Sequence, residues 1–530
     1  MGKSLFLWIC ISISLILWYT YLVSEVLKMK ALSITSRTIT LELENNLPFY
    51  AEQEFEIYIN GNLYKKERRN VFTIFNLSPN TSYTIQVEKE KKIIKTKGES
   101  LCLNVKDFYA VGNGVEEDTV KIQAAIAACP KNGCVYIPKG VYFISALFLK
   151  SDMTIYMEKD AKLIAKYDRG AYPILPQEQQ GYIFGTWEGS LVDCFASSIT
   201  ALNCSNLRII GEGEIDLQAQ LGDWYVNHRE KRIANRGFGM YFKECNFIEV
   251  IGIYIHNTPS WNIHPFFSKH LKFLNLRIEN PVNMPTTDGL DPDCCEDCLI
   301  AGNTFNVGDD CIAIKSGTFE LAKKYKKASS NIKIRNNFME QGHGGVVFGS
   351  ESSGGIDNVV VEQCIFKNTD RGLRIKTRRG RGRIGNIDSV VFNNILMDNV
   401  KTPFVINMFY NMGPKGGHDE YVWAKKPQEV TELTPSLGNF KFTNMECRNV
   451  WYAAGVFLGL PEAPIRGIEL QNIIFTYNSE AEAGFPVMIE QNFKLKNAGL
   501  YCLNVGKIYT KNVTFEGIIG NHIIFEEEEE

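Results

Sequence analysis

The chain has 530 residues, of which 45% are apolar, 12% aromatic and 22% charged, and its formal net charge is −3. This composition excludes a disordered or fibrous protein, and the length exceeds what one hydrophobic core usually serves, so two folded units are expected. The small net charge provides no whole-chain field for nucleic acid; no nucleic-acid partner is predicted, and any attraction to a charged partner must be local.

The amino terminus carries an apolar stretch from Leu5 to Val23, preceded by Lys3. This stretch is long for a signal-peptide core and about long enough to span a bilayer, and no small-residue cleavage motif follows it. Residues 1–28 are therefore interpreted as a membrane anchor, attached through residues 5–23, or as an export signal. A third interpretation stays open, because Met29 opens a run that already resembles a domain start, and translation from there would leave a cytoplasmic protein.

Residues 29–97 form the predicted first unit. Alternating runs such as TITLELE, FEIYIN and YTIQVE are separated by turn sequences, a pattern typical of a small antiparallel sandwich. The stretch FNLSPNTSYTIQV (Phe75–Val87) resembles the corner motif of fibronectin type III domains, with Tyr83 as the corner tyrosine. Because the span is short for that family, the first strand is expected to be missing or irregular.

The second unit, residues 103–525, begins with a predicted helix over residues 118–129. Asp118 and Thr119 provide an N-cap, and the apolar face is assigned to Val120, Ile122, Ile126 and Ala127. We expect this helix to cover the exposed edge of the first strands of this unit.

A loose repeat of short apolar segments fills the rest of the second unit. Most segments alternate apolar and other residues, carry Asn or another polar residue near the middle, and end in a turn. The segments begin at Leu271, Leu299, Ile332, Val359, Val390, Phe440 and Ile468, and the first five starts are roughly 27–33 residues apart. Such a period predicts an all-β parallel β-helix, in which stacked coils form the core. A propeller would need a four-strand blade signature that the sequence lacks.

The fourteen cysteines are too sparse for a disulfide scaffold in a chain of this length. Cys294, Cys295 and Cys298 lie close together, but zinc binding would need a second pair elsewhere. We therefore expect packed free thiols, a usage that favours a reducing setting over secretion.

Charged and titratable residues stand at the ends of four successive predicted strands. Equivalent residues on neighbouring coils stack about 4.8 Å apart, so these residues should share one surface. Gly308 is expected to permit a turn that directs two adjacent aspartates to solvent. The residues are Asp288, then Asp309 and Asp310, then His343, then Arg374 and Lys376.

Three clustered carboxylates repel one another, so the pKa of at least one should rise and keep a proton near neutral pH. Hydrolysis of a glycosidic bond requires this pairing of an acid with a base. The neighbouring Arg and Lys would attract an anionic sugar. The run RRGRGR (Arg378–Arg383) is interpreted as a cationic rim for that sugar rather than as a nucleic-acid tract.

The order of these motifs resembles that of the polygalacturonases, glycoside hydrolase family 28, across roughly residues 103–520. The matching stretches are Thr287–Asp288, Asp309–Asp310, Gly342–His343–Gly344 and Arg374–Ile375–Lys376. The resemblance implies a right-handed parallel β-helix. One departure is Thr286, where the family has Asn, and a hydroxyl cannot reproduce both the donor and the acceptor of an amide.

The resemblance also implies residue roles and a substrate, α-1,4-linked polygalacturonate or oligogalacturonides. Asp309 would act as general acid, while Asp288 and Asp310 would hold and deprotonate the attacking water, which inverts the anomeric carbon. His343 would set the protonation of the acid, and Arg374 and Lys376 would grip the galacturonate carboxylate. No metal or other cofactor is expected. His264, one coil earlier, either binds substrate or only packs.

Two long insertions, residues 217–240 and 409–437, are aromatic and charged, as binding loops often are. If they close one end of the groove, attack at chain ends is favoured, and exo action is predicted. Alternatives are an endo-polygalacturonase, a rhamnogalacturonan hydrolase, a calcium-dependent pectate lyase and a non-catalytic polysaccharide-binding β-helix. The sequence leaves the oligomeric state open.

Overall fold

The computed structural model describes residues 28–410, 420–489 and 493–526. The predicted anchor or export segment therefore lies outside the described residues, as does part of the 409–437 insertion. Within the described ranges, no helix is both long and apolar enough to cross a membrane.

The first unit consists of two small antiparallel sheets that enclose one apolar core. One sheet contains, in order, strands Lys28–Ile34, Ile39–Glu44 and Val71–Ile74. The other contains Asn62–Arg69, Tyr50–Ile59, Ser82–Val87 and Glu90–Lys95. The first strand is present but irregular, since its register shifts between Ala31 and Ser33. The hydroxyl of Tyr83 accepts a hydrogen bond from the Ser78 amide (2.8 Å), as a corner tyrosine does. The fibronectin type III-like assignment of residues 29–97 stays a prediction that these contacts support.

The first unit packs on the outer face of the second. Leu32 and Val71 form an apolar cluster with residues of successive coils, among them Ile210 and Leu274. Beside this cluster the fully buried carboxylate of Glu42 pairs with Arg335 (2.8 Å). The two units therefore share a continuous apolar and ionic interface.

The second unit is a right-handed parallel β-helix. Its largest sheet has 22 strands, of which the first nine coils contribute two each. The earlier strand of each coil is Cys102–Asn104, Gly133–Ile137, Met153–Met157, Ser205–Gly211, Asn246–Ile251, Lys269–Leu274, Glu296–Ala301, Ser329–Arg335 and Ile356–Glu362. The later strand is Asn113–Glu117, Gly140–Ile144, Ala161–Ala165, Glu214–Asp216, Tyr254–His256, Arg277–Glu279, Thr304–Asn306, Phe338–Gln341 and Ile365–Lys367. Four long strands continue the sheet: Ile387–Asp398, Asn439–Val450, Gly467–Tyr477 and Ile508–Glu516.

The predicted repeat is confirmed by the register of these strands. Leu271 pairs with Cys298, which is one residue before the predicted segment start at Leu299. Cys298 pairs in turn with Ile332, and the same register then runs through the predicted segment starts Val359, Val390, Phe440 and Ile468. Asn residues near the middle of the long strands, such as Asn444 and Asn472, adopt positive φ and bond to each other through their side chains (2.9 Å). A short polar side chain tolerates this left-handed conformation, which explains the Asn in the middle of the repeat.

The cap helix spans Thr119–Ala128. Its buried residues include Ile122 and Ile126, whereas Val120 is 77% exposed and Ala127 is also exposed, so the predicted apolar face is wrong at Val120 and Ala127. The Asp118 side chain does not cap the helix but accepts hydrogen bonds from the amides of Val111 and Gly112 (2.7 and 2.8 Å). The other helices are Phe319–Tyr325 and Glu420–Trp423, with 3-10 turns at Val105–Phe108, Arg169–Ala171 and Ala219–Leu221.

A second face of the β-helix carries the predicted site residues. Its strands are Leu147–Leu149, Ile199–Leu202, Met240–Lys243 and Ile263–Phe266, then Ile312–Ile314, Val346–Phe348, Arg371–Lys376, Thr402–Asn407, Ala453–Leu458, Ala498–Leu503 and Ile523–Phe525. Single bridges from Ile263 to Leu290 and from Leu290 to Ile312 join the two groups. The face is therefore continuous, and every site segment belongs to it.

Three short hairpins between Ile174 and Phe195 cover the amino-terminal half of this face. They pair Ile174–Leu175 with Cys194–Phe195, Glu178–Gln179 with Tyr182–Ile183, and Thr186–Trp187 with Ser190–Leu191. A second apolar core lies beneath them and includes Trp224 and Phe238 of the 217–240 insertion. The sequence pattern did not reveal these hairpins.

All thirteen cysteines among the described residues are free, and all but Cys102 are buried. The expectation of packed thiols at Cys294, Cys295 and Cys298 is confirmed.

Candidate active site

Three aspartates meet on the outer surface of two neighbouring coils. Carboxylate oxygens of Asp288, Asp309 and Asp310 lie within 4.8 Å of one another. The bridge between Leu290 and Ile312 aligns the two coils and so brings Asp288 beside the other pair. Asp288 is 4% exposed and Asp310 is fully buried, whereas Asp309 is half-buried and faces the groove.

The adjacent pair is tolerable because both aspartates precede the strand Ile312–Ile314 rather than lie within it. Gly308 does not adopt the left-handed turn that the sequence led us to expect. Its backbone instead approaches the preceding coil so closely that a Cβ atom would lie 2.4 Å from the Met284 carbonyl oxygen. Glycine is required here by close packing rather than by φ.

Asp310 is held as an anion by two cations. Its Oδ2 accepts from Lys376 Nζ (2.7 Å) and its Oδ1 from Arg374 (3.2 Å). Burial opposes ionisation, but Lys376 and Arg374 outweigh it and hold the pKa of Asp310 well below its ordinary value. A divalent cation could use carboxylates at this spacing, but both oxygens of Asp310 are already bonded to cations, which disfavours a metal.

Asp309 contacts His343 and two backbone amides. Its Oδ1 lies 3.2 Å from His343 Nδ1, and its carboxylate accepts from the amides of Thr286 (3.2 Å) and Asp310 (3.0 Å). Burial raises its pKa, but the bond to His343 and the charges of His343 and Lys376 together outweigh this, and the pKa lies below its ordinary value. The same bond raises the pKa of His343.

The expected raised pKa is found at Asp288 rather than at Asp309. Burial, and then repulsion from Asp291 and Asp309, hold the pKa of Asp288 well above its ordinary value. Burial also raises the pKa of Asp291 to about 8. The crowded carboxylates therefore favour a retained proton at Asp288 or Asp291.

Beneath the aspartates lies a buried ionic network that the sequence analysis missed. Lys315 Nζ lies 3.4 Å from Glu351, 3.5 Å from Asp291 and 4.0 Å from Asp288, over the ring of Trp261. Burial opposes the charge of Lys315, but Glu351 and the aspartates more than offset it and raise its pKa. Strand alternation was the available clue, because Lys315 comes two residues after Ala313 and shares its face.

The structure does not support two of the sequence-based substrate-binding assignments. His264, predicted as a possible substrate ligand, is fully buried, stacks on Tyr241 and bonds through Nδ1 to the Asp291 carbonyl (3.0 Å). The hairpins and the 217–240 insertion cover it. Arg379, assigned to a cationic rim, is 1% exposed and forms a bidentate pair with Glu462 (2.6 and 2.9 Å).

Both sides of the acid cluster are walled. On one side stand the Thr186–Leu191 hairpin and the 217–240 insertion, whose Arg236 donates to Thr286 Oγ1 (2.7 Å). On the other side a late segment crosses the face: Arg371 donates to the carbonyls of Phe485 and Pro486, and Asn407 donates to that of Met488. Chain segments therefore flank the acid cluster on two sides.

Comparison with known proteins agrees with this fold. The family model "Glycosyl hydrolases family 28" matches residues 138–448, more than half of the chain, and a model described as "Rhamnogalacturonase A/epimerase, pectate lyase-like" matches residues 102–167. The chain belongs to glycosyl hydrolase family 28, and its class is that of the polygalacturonase-type glycosidases.

Individual relatives carry matching names. A "Probable polygalacturonase" from Vitis vinifera is 29% identical over 71% of this chain and 74% of its own length. An "Exo-poly-alpha-D-galacturonosidase" from Dickeya chrysanthemi is 26% identical over 67% of this chain and 66% of its own length. The solved family 28 exopolygalacturonase from Yersinia enterocolitica aligns with a TM-score of 0.70 and 19% identity, and the alignment covers 94% of this chain and 97% of that one.

Proposed function

We propose that the enzyme hydrolyses α-1,4-linked galacturonic acid in polygalacturonate or oligogalacturonides and releases units from a chain end. The observation that carries this proposal is the cluster of Asp288, Asp309 and Asp310 beside the cations Arg374 and Lys376. The acids supply the two functions that glycoside cleavage needs. The cations suit a sugar that bears a carboxylate.

Asp309 is proposed as the general acid because it alone of the three is accessible. Its side chain is 24% exposed, against 6% for Asp288 and 1% for Asp310. A galacturonate carboxylate on Arg374 and Lys376 would bring negative charge next to Asp309 and raise its pKa. Substrate itself thus promotes the protonated form that delivers a proton to the leaving oxygen.

Asp310 and Asp288 are proposed to hold and activate the attacking water. Asp310, held as an anion by its two cations, is suited to orient the water, whereas the raised pKa of Asp288 makes its ionised form the stronger base. Inversion is proposed from family membership and not from the spacing of the carboxylates. The carboxylate oxygens of the three aspartates lie within 4.8 Å, which is closer than the about 6.5–9.5 Å between carboxyl groups that is typical of inverting enzymes. Proton NMR of the first product detects the β-anomer if inversion is correct.

Exo action is proposed from the walls of the groove. The Thr186–Leu191 hairpin and the Phe485–Met488 segment flank the acids, and segments in these positions favour binding of a chain end over a long internal chain segment. An open groove would be required for endo action.

Hydrolysis in H₂¹⁸O tests the reaction class. We expect ¹⁸O in each new reducing end and no unsaturated uronide. Unsaturated uronide and loss of activity with a chelator would identify a pectate lyase, while binding without new reducing ends would identify a non-catalytic β-helix. Cleavage of rhamnogalacturonan but not of polygalacturonate would favour the rhamnogalacturonan hydrolase.

Residues 5–23 are proposed to anchor or export the enzyme, because a pectin polymer is too large to cross a membrane. Fractionation of cells expressing the full chain, with the enzyme in the membrane or medium fraction, is the expected result; enzyme in the cytoplasm alone would exclude this placement.

A further inference from the structure

Arg236 is a buried cation that lacks a carboxylate partner among the described residues. The side chain is 4% exposed. Its two hydrogen bonds go to uncharged oxygens, the Pro259 carbonyl and the Thr286 hydroxyl, both at 2.7 Å. A guanidinium has five N–H donors, so several remain available.

No ion pair within 4.0 Å forms between Arg236 and any described carboxylate. Glu188 and Asp288 are close enough to influence its ionisation, but neither contacts it. Removing a charge from water without a counter-ion is costly, so such an arrangement is retained where a ligand supplies the opposite charge.

The position of Arg236 relative to the acids suits that ligand. Thr286, its hydroxyl partner, also donates its backbone amide to Asp309. The Arg236 guanidinium lies 5.1 Å from the ring of Trp187, at the tip of the hairpin wall. Arg374 and Lys376 belong to the strand Arg371–Lys376, one coil after the strand that follows His343, whereas Arg236 precedes the acids in the coil order. Cations therefore lie on both sides of the acid cluster along the stack of coils.

We propose that Arg236 binds the carboxylate of the non-reducing terminal galacturonate, and so makes a free acid on that residue a requirement of the enzyme. This inference rests on the proposed exo-hydrolase function. Arg236 stands beside Thr286, where the family has Asn, so the insertion supplies a charged donor next to the position at which the amide is lost. A guanidinium fork matches a carboxylate in two parallel hydrogen bonds.

The test compares wild type, Arg236→Gln, Arg236→Lys and the control Arg277→Gln on three substrates. Arg277 pairs with Glu279 and its side chain is 57% exposed on another face. The substrates are trigalacturonate, trigalacturonate methyl-esterified only at the non-reducing terminal residue, and trigalacturonate esterified only at the next residue. Circular dichroism and thermal unfolding establish that each variant is folded.

We expect Arg236→Gln to lower kcat/KM on the free acid by about 100-fold, mainly through KM, with Arg236→Lys intermediate and the control unchanged. On the terminally esterified substrate, the kcat/KM of wild type should fall by a similar factor relative to the free acid, whereas the kcat/KM of Arg236→Gln should fall little further. The assignment would be overturned if Arg236→Gln lowered kcat/KM by the same factor on all three substrates. It would also be overturned if only the ester on the second residue abolished the difference in kcat/KM between Arg236→Gln and wild type. Absence of wild-type hydrolysis on all three substrates would instead refute the proposed function. If Arg236→Gln does not fold, the ratio of free-acid to terminal-ester kcat/KM in Arg236→Lys decides, because a ratio equal to that of wild type contradicts the proposal.

Discussion

Asp309 and Asp310 are adjacent in the chain, yet their carboxylates meet different partners. Asp310 points to Lys376 and Arg374, and Asp309 points to His343 and the groove. Two carboxylates of one residue type thereby acquire different tasks through their surroundings.

The first prediction concerns the acid. Asp309→Asn removes the donated proton but keeps the shape, so kcat should fall by about 10²–10⁴-fold while KM changes little. Steady-state kinetics on trigalacturonate measures this, with Asp297→Asn, an exposed aspartate bonded to His270, as control. Turnover near the wild-type rate would show that another residue donates the proton.

A second prediction concerns His343, which lowers the pKa of Asp309. In His343→Gln that pKa should rise, and Asp309 should stay protonated to higher pH. The basic limb of the pH profile of kcat/KM should therefore move upward, even though the rate falls. An unmoved limb would mean that His343 does not act through Asp309.

A third prediction concerns Asp291, whose pKa rises from 3.8 to about 8. A raised pKa in the folded state means that its stabilising contribution is full below the ordinary pKa and is lost as pH rises through about 8. Between about pH 5 and pH 8 the Tm of wild type should fall, and Asp291→Asn should reduce that fall by roughly 5 °C. Parallel Tm curves for the two proteins would contradict the buried protonated state.

At the scale of elements, the short helix Glu420–Trp423 is held against the β-helix by the buried cation Arg379. Arg379 donates to the carbonyls of Tyr421, Val422 and Ala424 while it pairs with Glu462. Arg379 lies in a run of cations in the sequence, but in the structure it is an anchor, because the Glu420–Trp423 segment folds over it.

Breaking the Arg379–Glu462 pair should lower the free energy of unfolding far more than breaking an exposed ion pair. Arg379→Met should lower the free energy of unfolding by about 3–5 kcal/mol, since it strands a buried carboxylate. Arg448→Met, at the exposed pair with Glu446, should cost less than about 1 kcal/mol. Urea unfolding compares the two variants, and equal losses would argue that Arg379 is not an anchor.

The repeat shows why the elements were predictable. Each coil buries its inward residues only by stacking, so the apolar segments from Leu271 to Ile468 recur with a period that the sequence displays. The hairpins between Ile174 and Phe195 have no such period. Their two-residue strands depend on the tertiary packing of residues such as Trp187 against Phe238, and no local pattern specifies it.

At the scale of the whole molecule, a series of short motifs far apart in sequence predicted the carboxylates, histidine and cations that line the groove. Lys315, Glu351 and Arg236 were not predicted, because their importance arises from contacts across coils and insertions rather than from a motif. His264 was misjudged for the same reason, since only the covering insertion shows that the histidine is enclosed.

The small sandwich lies along the outer face of the β-helix through the Leu32–Val71 cluster and the Glu42–Arg335 pair. These contacts are on the large sheet, whereas the acids lie on the other face. The amino-terminal unit is therefore placed to brace the coils rather than to contact the sugar at the acid cluster.

The central claim is that the acid cluster, flanked by the hairpin and the late segment, acts at the end of a polygalacturonate chain. Early digestion products of long polygalacturonate, resolved by size within the first few per cent of conversion, test this claim most directly. We predict one small product from the first time point, while the remaining polymer keeps nearly its full length. A ladder of intermediate sizes with rapid loss of chain length would contradict it.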